Sequence, residues 1–258
     1  MKYVILICLL INGTSSYANT AFLSKDVLNY DIQWGHLIIG QISAYLEKID
    51  NNYIIEAKSE SDGAVSLLYD YKSELFASSR KKDGEWNANS YIVNSNIRNQ
   101  KYYSKVDWNA KNSKLDVEIN PPLNLEKVYE VDYSTLENVI DPVTAILKVV
   151  EKINKNKMCN ASYSIFDGRR RYDLAIKELE KKYLINDRPR SFKGDTVVCG
   201  LKFTPIGGHR IESKWKPELD KFTDIQIFFG IVDGKDYFPV RMHINRWFGT
   251  ITLRLLRK

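Results

Sequence analysis

Three consecutive arginines, Arg169, Arg170 and Arg171, follow the turn-forming pair Asp167-Gly168 and precede Asp173. In an extended chain successive side chains leave on opposite faces, so Arg169 and Arg171 share one face and Arg170 takes the other. Two guanidinium groups on one face could clamp a phosphate or carboxylate through their forked donors. The plainer alternative is a turn shaped by Asp167-Gly168, with the arginines on a solvated face or paired with Asp173 and other acids. Pro205-Ile206-Gly207-Gly208 is a second polar candidate, because adjacent glycines permit positive φ and could turn amide groups toward an anion. It has neither the Lys-Ser or Lys-Thr ending nor the following helix of a phosphate loop, so a tight loop is the simpler reading.

Catalytic patterns are weak. His36, His209 and His243 are far apart in the chain, and no H-E-x-x-H or nucleophile-elbow motif occurs. Carboxylates are common among the 32 Asp and Glu, so only three-dimensional proximity could promote a pair to acid/base work. No catalytic residue, metal site or cofactor is expected. Cys159 and Cys199 have no C-x-x-C spacing and no histidine at metal-ligand spacing, and a disulfide between them is the expected state in an oxidising compartment. The remaining chemistry is apolar. Tyr30, Trp34, Tyr102, Trp108, Phe229 and Phe238 fall at inward positions of expected strands, where with Val143, Ile146 and Leu147 they could line a cavity or fill an ordinary core.

These residues need elements to position them. Residues 1–18 carry Lys2, an apolar run from Tyr3 to Ile11 and a small-residue end at Ala18, which reads as a secretory leader cleaved after Ala18. Residues 19–258 then read as one domain outside the cytoplasm, in the periplasm of a cell envelope. Charge divides this span: residues 19–147 hold 13 Lys and Arg against 19 Asp and Glu, whereas 148–258 hold 24 against 13. The basic half suits anionic envelope components, and export argues against nucleic acid. Nothing in the sequence sets the oligomeric state.

Apolar residues alternate through Ile225–Ile231, Phe238–Ile244 and Ile251–Leu255, the pattern of an antiparallel meander with one buried face. Similar alternation runs through Tyr30–Leu46, Tyr53–Ala57, Tyr102–Trp108 and Leu115–Ile119. A short helical turn is expected between Asp62 and Tyr71, with Val65, Leu67 and Leu68 packing. Asp141 is a good N-cap with Pro142 at the first helical position, and Val143, Ile146, Leu147, Val150 and Ile153 make an apolar stripe. The expected fold is mainly β: a strongly curved antiparallel sheet or half-barrel of about nine to eleven strands wrapped around a short helix. An outer-membrane barrel is the architectural rival, because alternation does not say whether the apolar face meets lipid or a core.

The run Phe166-Asp167-Gly168-Arg169-Arg170-Arg171-Tyr172-Asp173-Leu174, the Asp141-Pro142 helix, Cys159, Cys199, Pro205-Ile206-Gly207-Gly208 and the opening Tyr30–Gly35 with Ile39-Gly40 together resemble the family called domain of unknown function 3108. That resemblance implies an exported bacterial envelope protein with no assigned reaction. A more distant likeness, to lipoprotein-carrier folds, implies a curved sheet holding helices over an apolar concavity. Three functions follow as expectations: a non-enzymatic binder or carrier of an apolar or acylated ligand, a structural or interaction module of envelope assembly with a filled core, and an enzyme acting on envelope glycans or lipids.

Overall fold

The computed structural model describes residues 26–108, 115–212, 221–234 and 236–257. The leader expected over residues 1–18 lies outside the described residues, as do residues 109–113 between the strands expected at Tyr102–Trp108 and Leu115–Ile119. Within them the chain forms β1 (Asp26–Trp34), β2 (Leu37–Ile49), β3 (Asn52–Ser61), α1 (Gly63–Leu68), β4 (Tyr71–Lys82), β5 (Glu85–Ile97), β6 (Gln100–Trp108) and β7 (Leu115–Asn120). There follow α2 (Pro142–Asn156), β8 (Ala161–Phe166), β9 (Arg171–Leu184), β10 (Gly194–Gly207), β11 (Ile225–Val232), β12 (Asp236–Arg246) and β13 (Gly249–Leu256). All thirteen described strands join one antiparallel sheet, ordered β7-β6-β5-β4-β3-β2-β1-β13-β12-β11-β10-β9-β8. Two meanders are thus sewn together where β1 meets β13, and β7 and β8 remain as edges.

The expected nine to eleven strands fall short of thirteen for two physical reasons. Tyr30–Leu46 keeps its alternation through a reversal: Gly35, at φ +59°, turns the chain so tightly that Trp34 pairs with Leu37. The segment is therefore a hairpin, β1 and β2. β10 was invisible because Thr196–Leu201 is buried without a break, and a strand covered on both faces does not alternate. Pro239, which has no amide to donate, lies at a bulge, opposite an irregularity between Phe228 and Phe229.

Cross-strand register shows which face turns inward. Ile32 pairs with Leu253, Leu253 with Met242, and Met242 with Ile227, which packs in the helix-facing core. On the other side of β1, Ala44 pairs with Ala57 and Ala57 with Leu75; on the same face of β4 as Leu75 and Ala77 lies Ser79, whose hydroxyl meets Thr144 of α2 at 2.7 Å. Both halves of the sheet therefore present one continuous face to α2, which packs on β4 and β5 from one side and on β8 and β12 from the other. The opposite, convex face carries exposed Glu56, Lys58, Glu60, Lys72 and Glu74, with a Lys58–Glu74 pair at 2.9 Å. Along β3 and β4, apolar inside and charged outside is the reverse of a lipid-facing strand.

Asp141 caps α2 as its type requires: its Oδ1 accepts from the Val143 and Thr144 amides at 2.8 and 2.9 Å. Burial raises the Asp141 pKa, while those bonds and the one from the Thr144 hydroxyl pull it down. Lys157, at φ +59°, ends the helix in the left-handed conformation. The apolar stripe is wider than its sequence suggested: Thr144, Ala145, Leu147, Val149 and Ile153 are buried, while Val143, Ile146 and Val150 are half-buried. A helix enclosed by a curved sheet has buried neighbours around more of its circumference than a helix lying on a flat one. Leu67 of α1, expected to pack, is instead 88% exposed.

Candidate functional site

The concave face changes character along the sheet. One rim carries the turns 50–51, 83–84 and 233–234; the other carries the turns 35–36, 98–99 and 247–248 together with α1. α2 runs toward the first rim, where Glu151 pairs with Lys81 at 2.5 Å, Lys148 with Glu85 at 2.9 Å, and Asn154 accepts from the Tyr237 amide. There Ala145, Val149 and Ile153 are fully buried against Ile165, Leu174, Ile227 and Phe229. The short side chains of Ala77, Ser79 and Ala88 let the helix approach the first meander closely. Toward the second rim the same face bears Ile32, Ile42, Leu75, Val93, Met242 and Leu253, all only half-buried.

The sequence-derived aromatic set is dispersed: Phe229 pairs with Pro239 and Phe238 with Gly230, so those two leave the sheet on opposite faces. Phe229 is buried in the core around α2. Tyr30 and Phe238 pack against a second core of Leu28, Leu46, Phe192 and Val240, and Tyr30 donates to the Pro239 carbonyl at 2.9 Å. Burial without a partner for charge drives the Tyr30 pKa far up. Trp108 donates to the Val139 carbonyl at 2.8 Å, and Tyr102 lies 5.5 Å from the Arg169 guanidinium. Trp34 stands at the second rim, 46% exposed and edge-on to Phe248, rather than inside. Val143, Ile146 and Leu147 sit on α2 as described. These residues do not converge on one pocket.

The arginines do something other than share a strand face. Asp167 accepts from the Arg169 and Arg170 amides at 3.0 and 2.7 Å, winding residues 167–170 into a four-residue turn, so β9 starts at Arg171 and Arg169 precedes it. Arg169 donates to the Tyr103 and Pro121 carbonyls, at 3.3 and 2.7 Å. Burial lowers its pKa, with Asp167 opposing. Arg171 is buried, donating to the Thr135 carbonyl at 2.9 Å, Asp173 at 2.6 Å and Ser164 at 3.0 Å. Arg170 pairs with Asp167 at 3.0 Å.

Together these contacts fasten the open seam of the sheet. The connection between β7 and α2 fills the gap: Ile140 exchanges backbone bonds with Ser164 and Phe166 of β8, and Val131, Leu136 and Val139 pack with Val106 and Phe166. A cleft of about 200 Å³ remains there, lined by Val117, Ile119, Leu123, Leu125, Val131, Tyr133 and Phe166 among others. That is below the usual size of a pocket enclosing a drug-sized ligand. Pro205-Ile206-Gly207-Gly208 presses on the same junction, since a Cβ on Gly207 would lie 2.6 Å from the Glu130 carbonyl oxygen. Sequence reasoning missed this assembly because its partners, Tyr103, Ser104, Pro121 and Thr135, carry no motif; the close approach of two glycines was the signal available.

The Cys159–Cys199 disulfide is formed and ties the chain just after α2 to β10, with both residues fully buried in the helix-facing core. The histidines are separate: His36 is in the β1–β2 turn, His209 stacks on Tyr129 with ring centroids 4.7 Å apart, and His243 lies against Phe228. Among the described residues no group of three or more His, Cys, Asp or Glu could hold a metal ion.

His243 makes a pH prediction. Burial, then Arg241, Arg254 and Lys182, push its pKa from 6.5 to about 4. Below pH 6.5 the unfolded chain takes up a proton that the fold refuses, so this residue destabilises the protein progressively as pH falls from 6.5 to about 4. Discounted for its partial exposure, the loss is about 1–2 kcal/mol. Asp141, with a raised pKa, acts in the opposite sense, so the test is a difference. Urea midpoints at neutral pH and near pH 4 should fall less in His243→Gln than in the natural chain; equal falls would refute the assignment.

Comparison with known proteins accords with the fold. A solved structure, a β-barrel-like protein of domain of unknown function DUF1849 from Brucella abortus, superposes with a TM-score of 0.53 at 9% identity, covering 91% of this chain and 97% of that one. At that identity the likeness speaks to the fold alone. No curated protein matches the chain. The profile of the family described as "Protein of unknown function (DUF3108)" matches residues 29–256, nearly the whole sheet from β1 to β13, and the chain belongs to that family.

Proposed function

We propose that this protein is a non-enzymatic binder or carrier of an apolar or acylated ligand in the cell envelope, holding it on the concave face of the sheet. One observation carries the reading: α2 seals that face at one rim, whereas toward the other rim Ile32, Ile42, Leu75, Val93, Met242 and Leu253 keep partial exposure on a surface that is otherwise core. Apolar side chains arranged around a concavity and left partly wet gain most when an apolar guest displaces the water. The secretory leader read in residues 1–18 supports a guest drawn from envelope lipids.

Native mass spectrometry before and after organic extraction, with displacement of a fluorescent fatty acid as a second readout, tests the reading. A mass lost on extraction and a saturable displacement are expected. Leu75→Trp combined with Val93→Trp, which fills the concavity, should weaken fatty-acid binding about tenfold or more. No extractable mass and no displacement would overturn the proposal. They would favour a structural module of envelope assembly, for which the complete burial of Ala145, Val149 and Ile153 is the supporting observation. An envelope-acting enzyme is the third reading, and no arrangement among the described histidines favours it.

A further inference from the structure

The second rim bears an uninterrupted belt of exposed apolar side chains. In the β1–β2 hairpin Trp34 is 46% exposed, Leu37 64% and Ile38 42%; in the β12–β13 turn Trp247 is 95% and Phe248 41%; Leu67 of α1 is 88%. They are neighbours in space as well as at one rim. The Trp34 indole donates to the Phe248 carbonyl at 3.2 Å, the Trp34 and Phe248 rings meet at 5.8 Å, and Phe248 meets Trp247 at 5.4 Å. Trp34 pairs with Leu37 across the hairpin, and α1 packs on β2, with Asp62 at its start donating its amide to the Ile39 carbonyl. With strands about 4.8 Å apart, β13, β1, β2 and α1 set the belt along one edge.

A soluble monomer seldom leaves a belt of this kind in water, and large exposed apolar patches mark interaction sites. The surrounding charge selects the partner. The chain from Tyr237 onward holds no Asp or Glu, and of its arginines Arg246 stands at this rim, whereas Arg241 and Arg254 are held by Asp187 at 2.7 and 3.1 Å and Arg257 follows β13 at its opposite end. Arg246 immediately precedes Trp247, and Arg188 reaches the β1–β2 turn, donating to the His36 and Gly35 carbonyls at 3.4 and 3.3 Å. On the far side of α1 the Arg98 guanidinium sits 4.8 Å from the ring of Tyr69, itself 41% exposed. Asp62, at the start of α1, is occupied by the Gly63 amide and the Gln41 side chain. Tryptophan and tyrosine interleaved with arginine are the side chains that settle at the boundary between headgroups and acyl chains, and stable attachment takes both an apolar and an electrostatic signal.

We infer that this rim docks on the surface of a bilayer containing anionic phospholipid, with Trp247, Phe248, Trp34, Leu37 and Leu67 entering the headgroup boundary and the arginines meeting the phosphates. The half-buried stretch of the concave face lies toward the same rim, so docking would bring it near the lipid. The inference rests on the belt and its charge alone and stands whether or not the concavity carries a guest.

Sedimentation of the purified exported protein with vesicles tests it, using phosphatidylcholine alone and an equimolar mixture with phosphatidylglycerol. Binding to the mixed vesicles is expected, with a blue shift of tryptophan emission and weakening by salt. Trp247→Glu and, separately, Leu37→Glu should each weaken it about tenfold or more. Ile185→Glu, at a residue 67% exposed in the β9–β10 connection, should leave it unchanged. Circular dichroism confirms that each variant is folded. Absence of binding to mixed vesicles, full binding by both belt variants, or an equal loss in Ile185→Glu overturns the inference. The fatty-acid displacement assay contains no vesicles, so failure of docking and failure of the carrier reading are read separately.

Discussion

Replacing Gly208 by alanine should cost the fold about 4 kcal/mol, a large fraction of the stability of an ordinary domain. Two effects add. Gly208 has φ +76°, where an L side chain is strained by about 1–2 kcal/mol. The larger effect is steric: a Cβ there would lie 1.8 Å from the carbonyl oxygen of Arg169 and 2.8 Å from its carbonyl carbon. That obstacle is backbone, so relief requires moving the 167–170 turn away from β10. The move would disturb the Gly208 amide bond to the Tyr129 carbonyl at 2.7 Å and the Arg169 bonds that hold β6 and Pro121. Gly234→Ala is the matched control, with φ +70° and nothing within 4 Å of the added carbon, so only the conformational cost of about 1 kcal/mol should remain. Denaturant midpoints of the two variants make the comparison, and similar losses in both would show that the seam does not depend on this close approach.

Breaking the disulfide should have an effect of similar size. Cys159 and Cys199 are 40 residues apart, and closing such a loop restricts the unfolded chain by about 4 kcal/mol on loop-closure entropy. The loss should be seen on adding reductant, and in Cys159→Ser with Cys199→Ser, as a lower urea midpoint. Because both sulfurs are fully buried, the double serine variant also leaves two hydroxyls in an apolar core, so Cys159→Ala with Cys199→Ala is the cleaner reading. Should the alanine pair match the natural chain in stability, the bridge would be incidental to the fold. Reduction should be slow without denaturant, since thiol exchange requires access to the sulfur.

Much of this architecture was legible in residue order. The alternation of Ile225–Ile231, Phe238–Ile244 and Ile251–Leu255 became β11, β12 and β13, because a half-buried strand writes its two environments onto successive residues. Asp141-Pro142 marked the start of α2, because a side-chain cap and a missing amide are local chemistry that needs no tertiary partner. The two misread strands fail for complementary reasons. β10 is covered on both faces and loses the alternation; the β1–β2 turn is so short that alternation passes through it unbroken.

Sequence by itself determined that this chain is a curved antiparallel sheet around a capped helix, since period, caps and turn residues act over a few bonds. Tertiary structure alone decided what the arginines do and where the apolar face stays wet. Arg169 and Arg171 find their acceptors on Tyr103, Pro121 and Thr135, which lie 36 to 66 residues away along the chain. Leucine and tryptophan have the same identity in a core as at a rim; Leu147 is buried by α2 and its enclosing sheet, and Trp247 is left in solvent because no element passes over it among the described residues. Exposure is a property of what the rest of the chain covers, and no local pattern records it.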